Sequence, residues 1–142
     1  METIARCYCG TVEVGFDSPP RGTVHCHCGE CRRQTGAAFT TWVSVPSPPV
    51  LREGAKAAGK FSATRNTVRH FCRICGSHLY TVDVRHPDIV GVPAGAIVEP
   101  MQLVPTAHYF VDDKAPWHEI SDGLPQFGGR SGVEPVGAPS VG

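Results

Sequence analysis

The sequence predicts a mainly β protein with little helix, and three observations predict it. The chain carries 13 prolines and 16 glycines in 142 residues, punctuation that suits short strands joined by turns. Between these breaks, apolar and polar residues alternate with the period of a half-buried strand. The seven cysteines fall into three tight groups, Cys7 with Cys9, Cys26 with Cys28 and Cys31, and Cys72 with Cys75. The two outer pairs sit at the ends of predicted strands.

After "CYCG", the run "TVEVGF" sets Val12, Val14 and Phe16 on one side and Thr11, Glu13 and Gly15 on the other, which reads as a strand ended by "DSPPRG". "FTTWVSV" (39–45) reads as a second, because Thr, Val and aromatic side chains fit a pleated surface and "PSPP" punctuates it. "TRNTVRHF" and "SHLYTVDV" flank Cys72 and Cys75 as two more, so that pair is expected on the turn between them. "DIVGVPAGAIV" is apolar but broken by Pro93 and by glycines, and suits a bent strand. "GECRRQTG" after Cys28 is the place for a short helix with Gly36 as its C-cap, and another short turn is expected near "EPMQLV". Phe39, Trp42 and Tyr80 are expected in the core, as strand aromatics usually are.

The length suits one domain, expected over residues 1–127, and the apolar-poor stretch 128–142 reads as a disordered tail. Formal net charge is zero and the pI is about 7.0, so no global field draws the chain to nucleic acid or to an anionic membrane. "METIARCYCG" has no apolar h-region, and no window approaches a membrane span. A soluble, cytoplasmic protein is expected, in which thiols persist as metal ligands or catalysts and not as disulfides. Cys-x-Cys spacing is also poor geometry for a local bridge.

The cysteines then divide by arithmetic. Cys7-x-Cys9 and Cys72-x-x-Cys75 are each followed by glycine, Gly10 and Gly76, which lets a loop curl its N–H groups toward thiolate sulfurs. Two such knuckles make one structural zinc site with four cysteine ligands. Cys26, Cys28 and Cys31 remain, with no fourth cysteine. Structural zinc has four protein ligands, whereas catalytic zinc keeps three and leaves a position for water or substrate. The triple therefore reads as an open second site, for up to two zinc ions per chain. The other possibility is closure by a histidine, from His25, His27, His70, His78 or His108. His25 and His27 alternate with the cysteines and, in extended backbone, would face away from Cys26 and Cys28. An iron–sulfur cluster fits less well, since it normally takes four cysteines.

The order "CYCG", "HCHCGECRRQTGAAF", "FCRICGSHLY" and "HYFVDDKAPWHEISDGLPQF" resembles the glutathione-dependent formaldehyde-activating enzyme family, which includes the centromere protein V domain. The resemblance covers most of residues 4–127. It implies a β-tent of antiparallel sheets around zinc, a structural zinc on Cys7, Cys9, Cys72 and Cys75, and a labile one on Cys26, Cys28 and Cys31. It further implies a carbon–sulfur lyase activity on thiol adducts, with glutathione and formaldehyde as partners. A non-catalytic thiol carrier or a zinc-ribbon-like interaction module would use the same residues. Arg32 and Arg33 follow the last ligand and could hold a substrate carboxylate bidentately or simply face solvent. Residues 52–73 carry Arg52, Lys56, Lys60, Arg65, Arg69 and Arg73 against Glu53 alone, a face that could receive an anionic tripeptide or could merely be solvated.

Overall fold

A computed structural model describes residues 2–17, 19–98 and 102–136. In chain order the strands are β1 (Thr3–Arg6), β2 (Glu13–Phe16), β3 (Gly22–Cys26), β4 (Thr40–Val45), β5 (Val50–Glu53), β6 (Ala58–Ser62), β7 (Thr67–Cys72), β8 (His78–Asp83), β9 (Val90–Pro93), β10 (His108–Tyr109), β11 (Phe127–Gly128) and β12 (Glu134–Pro135). One α-helix, α1 (Gly29–Thr35), and two 3-10 turns, Ala94–Ala96 and Val111–Asp113, complete the set. The protein is thus mainly β with little helix, as the punctuation predicts. Among the described residues no helix is long and apolar enough to cross a membrane.

The chain forms two compact units, each drawn from two segments: residues 1–22 with 42–103, and residues 23–41 with 104–142. The first unit holds the antiparallel sheet β1-β2-β5 and a run of antiparallel pairs from β4 through β9, β8 and β7 to β6. Its core is apolar and mostly valine, with Ala5, Val14, Phe16, Val43, Val45, Val90 and Val92 buried together. Val12, Val14 and Phe16 are all buried, as the alternation read from sequence requires; on the other side Thr11 is exposed and Glu13 half-buried, but Gly15 is buried too. The bend expected after Pro93 is the 3-10 turn at Ala94–Ala96, after which Ile97 bridges back to Ala5.

The second unit holds the parallel pair β3 and β10, with His108 opposite His25 and Tyr109 opposite Cys26, together with α1 and the hairpin β11–β12. Its interior is polar. Among the described residues it buries Cys26, Cys31, Ala107 and Ala115 beside Thr23, His27, Thr40 and His108, and no Val, Leu, Ile, Met or Phe. The hairpin occupies part of the stretch expected as a tail, and local polar contacts order it. Gly129 N–H donates to Asp112 at 2.7 Å, and Ser131 N–H to Glu134 at 3.0 Å. Residues 137–142 of that tail lie outside the described residues, as do residues 99–101 of the turn expected near "EPMQLV". Phe39, Trp42 and Tyr80 are each half-buried; Tyr80 packs against both buried clusters of the first unit, as the expectation of core aromatics has it, whereas Phe39 and Trp42 belong to neither cluster among the described residues. Phe39 packs against His25 and His27 in the second unit, and in the first unit Trp42 carries the Arg69 guanidinium at 5.7 Å from its ring centroid.

Gly54 is the glycine the first unit cannot exchange. Its φ is 83°, and a Cβ there would stand 2.2 Å from the Thr11 carbonyl oxygen. Gly54→Ala should therefore cost at least about 2 kcal/mol, from backbone strain plus the clash. Urea unfolding checks it, with an unchanged m-value and a lower midpoint expected.

Candidate metal centres

In the first unit, Cys7 and Cys9 stand on the loop between β1 and β2, and Cys72 and Cys75 on the loop between β7 and β8. Each loop closes as a tight turn. Gly10 N–H donates to the Cys7 carbonyl at 3.0 Å and Gly76 N–H to the Cys72 carbonyl at 2.8 Å. Gly10 and Gly76 have φ of 81° and 80°, the left-handed conformation that glycine adopts without strain. Ser77 couples the loops by accepting the Tyr8 N–H at 2.9 Å while its hydroxyl lies 3.2 Å from the Cys75 sulfur. That contact, aided by backbone N–H groups, holds the Cys75 thiol down at about 5. Val12 N–H points at the Cys7 sulfur from 3.2 Å.

All four sulfurs lie within 4.8 Å of one another, with Cys7–Cys9 at 3.6 Å and Cys9–Cys72 at 3.8 Å. A tetrahedron of Zn–S bonds near 2.3 Å sets its sulfurs about 3.8 Å apart. The four donors, their spacing and the N–H groups aimed at them fit a zinc ion.

In the second unit, Cys26 ends β3, while Cys28 caps the N-terminus of α1 by accepting the Cys31 N–H at 3.3 Å. Gly36 closes the helix in the left-handed conformation expected of it, with φ of 71°. The sulfurs of Cys26, Cys28 and Cys31 lie within 4.8 Å of one another, and Cys28 and Cys31 approach to 2.9 Å. Contact with the other two thiols, and then burial, push the Cys26 thiol far above its ordinary value. Three sulfurs so close cannot all ionise without a neighbouring cation, so this donor set fits a zinc ion as well.

No histidine joins that set of mutually close donors among the described residues. His25 shares a hydrogen bond with Thr41 at 2.8 Å. His27 and His108 share one at 2.8 Å, and His108 Nε2 donates to Asp122 at 2.8 Å. In the first unit, His70 stacks on Tyr80 with ring centroids 4.1 Å apart, and His78 lies 2.6 Å from the Thr81 hydroxyl. Arg32 Nη1 donates to the Asp113 carbonyl at 2.8 Å, so this guanidinium is engaged in holding α1 to the 111–113 turn. Arg33 is exposed.

The chain Asp122–His108–His27 has no local sequence signature, because 81 residues separate the two histidines. Both are buried, His27 at 0% and His108 at 1% exposure. Burial first, then the neighbouring charge of His108, holds His27 down at about 4. In the tautomer of a neutral His108 ring whose Nε2–H serves the carboxylate, Nδ1 can only accept. His27 then donates through Nε2, and its buried Nδ1 keeps a lone pair with no partner among the described residues.

These observations decide the family. The chain matches the glutathione-dependent formaldehyde-activating enzyme family over residues 2–113. It belongs to that family. A Halomonas elongata protein, provisionally named as a glutathione-dependent formaldehyde-activating enzyme, is 30% identical over 122 residues, covering 80% of this chain and 78% of that protein. A crystal structure of a Rhodobacter sphaeroides protein shares the fold at a TM-score of 0.53 and 21% identity, covering 69% of this chain and 90% of that one.

The histidine chain carries a stability prediction. His108→Ala leaves the His27 Nε2–H buried without an acceptor and should cost about 2–4 kcal/mol. Asp122→Ala should cost less, since that carboxylate is partly open to water and solvent can take its place. Urea unfolding of the two variants and their double mutant checks the order, and the double should fall short of the sum.

Proposed function

We propose that the Cys26–Cys28–Cys31 cluster is an open zinc site that takes up a small thiol such as glutathione and promotes its reversible addition to formaldehyde. This is a carbon–sulfur lyase-type reaction, and the product is S-(hydroxymethyl)glutathione. The observation that carries the reading is a set of three mutually close sulfurs with no fourth protein donor among the described residues. The family and the relative's name support the same activity.

A zinc ion held there would supply the Lewis acidity that strips a thiol of its proton and leaves a nucleophile facing the aldehyde. The sulfur–carbon bond forms as the carbonyl π bond breaks, and the thiol's proton ends on the new hydroxyl oxygen. Cys26, Cys28 and Cys31 hold the site. The turn of α1 fixes Cys28 and Cys31 relative to each other through the capping contact. Arg33, exposed beside the last ligand, is free to meet a glutathione carboxylate, whereas Arg32 is spent on Asp113. In the first unit, Cys7, Cys9, Cys72 and Cys75 hold a closed, structural zinc. A cytoplasmic location, where thiols stay reduced, goes with this reading.

The division of labour is tested by metal content and mutation. The purified protein should hold up to two zinc ions, one of which mild chelation removes. Cys72→Ser should unfold the protein, since structural zinc contributes on the order of 10 kcal/mol to folding. Cys28→Ser should stay folded with one zinc. Glutathione added to the cobalt-substituted protein should shift the thiolate charge-transfer and d–d bands, and Cys28→Ser should lose that response. Exchange between glutathione and formaldehyde, followed by NMR saturation transfer, should accelerate only with the three cysteines intact. A spectral shift without acceleration would leave a thiol carrier, and silence in both would leave an interaction module.

A further inference from the structure

The basic stretch 52–73 is not absorbed by the thiol chemistry, and the structure sorts its charges. Arg52 is spent on Glu2. Arg69 is 5% exposed and lies over Trp42. Lys60 stands exposed on β6, with no carboxylate partner among the described residues. It borders a cleft of about 230 Å³ in the first unit. Val14, Leu51 and Leu79 supply apolar walls, and the stacked rings of His70 and Tyr80 supply a flat one. No acidic side chain lines the cleft.

We propose that this cleft is a second ligand site, which binds a small organic anion: a short aliphatic or single-ring carboxylate with its tail among the walls and its carboxylate at Lys60. Size sets the ligand class. At ~30 Å³ per water, the cleft holds the equivalent of about eight waters, less than drug-sized ligands need, so an occupant of roughly six to ten non-hydrogen atoms fits. Charge sets its sign, because one unpaired ammonium faces a wall without acids. Apolar walls with one oriented charge are the usual composition of a small-molecule site. The site is separate from the three-cysteine cluster and does not depend on how that cluster is read. It does touch the structural centre, since Leu79 packs in the same buried cluster as Cys7 and Cys72. An occupant that binds only the folded cleft would therefore stabilise the knuckles by mass action.

The test uses hexanoate and hexan-1-ol on the zinc-loaded full-length protein, with amide shift mapping by NMR and thermal melts. Hexanoate should bind saturably, move the resonances of Val14, Leu79 and Tyr80 more than the rest, and raise the melting temperature. Hexanol should bind at least tenfold more weakly. Lys60→Glu, an exposed substitution that should leave the ligand-free melt unchanged, should weaken hexanoate at least tenfold and abolish its stabilising effect. Leu51→Trp, at an exposed position on β5, should fill the mouth and block both probes. The proposal is overturned by absence of saturation, by shifts that centre elsewhere, by hexanol binding as well as hexanoate, or by undiminished binding to Lys60→Glu.

Discussion

Four thiols held within 4.8 Å of one another are the constraint on which the first unit turns. Cys9 and Cys72 are 63 positions apart in the chain, so their meeting closes a loop that contains β2 through β7 and α1. Little else near them could do so. The buried cluster around them is small: among the described residues Val12, Ala57 and Leu79 lie beside Cys7 and Cys72, with Ala58, Cys75 and Tyr80 packed against them. Such a cluster cannot by itself offset the ordering entropy of two irregular loops. A dication on four sulfurs, as proposed, would offset it, and the core of Val43, Val45, Val90 and Val92 would then have a fixed frame to pack within. The hydrogen bonds of the knuckles, Gly10 to Cys7 and Gly76 to Cys72, hold each loop in its turn by contacts within that loop alone.

The second unit meets the same requirement by different means. Where the first unit buries valines, it buries cysteines, histidines and threonines, and burial of such groups is favourable only when their polar atoms find partners. The Asp122–His108–His27 chain satisfies three of the four ring nitrogens involved. His27 Nδ1, Arg32 Nε and Thr40 Oγ1 are left without partners among the described residues. Buried polar atoms of this kind are ordinarily met by ordered water or a ligand. An interior so composed is poor as a folding core and well suited to a site that must admit polar groups.

How much of this the sequence could disclose depends on the range of the interaction. Local signals were legible: the Val12–Val14–Phe16 alternation, the glycine after each outer cysteine pair, and the helix between Cys28 and Gly36 all depend on neighbours a few positions away. The grouping of cysteines was legible because zinc chemistry demands particular donors in small numbers. The histidine chain was not, since nothing near Asp122 in sequence marks it as the partner of a residue 14 positions back that in turn reaches 81 positions back. The short strands β1, β3, β5 and β6 were also missed. They owe their pairing to partners elsewhere, as Val50 and Leu51 show by pairing with Gly15 and Val14 while staying exposed themselves. The misassignment of Phe39 and Trp42 has the same origin, because the preference of rings for strands does not say which face or margin they occupy.

The two cysteine groups differ in a way that bears on reactivity. Four thiolates on one zinc ion leave a net charge near −2, and in the first unit backbone N–H and hydroxyl groups already lie against the sulfurs of Cys7, Cys9 and Cys75. Charge drawn into such hydrogen bonds is less available for attack, and no position on the metal is open. On the proposed reading, three thiolates on zinc would leave a net charge near −1 and one position that an incoming thiol could fill. In the second unit the Cys31 N–H donates to the Cys28 sulfur, while Arg32, the nearest cation in sequence, is turned away to Asp113. That site thus does without the Arg32 charge, and on the proposed reading zinc bound there would supply the acidity that takes the proton from a fourth sulfur.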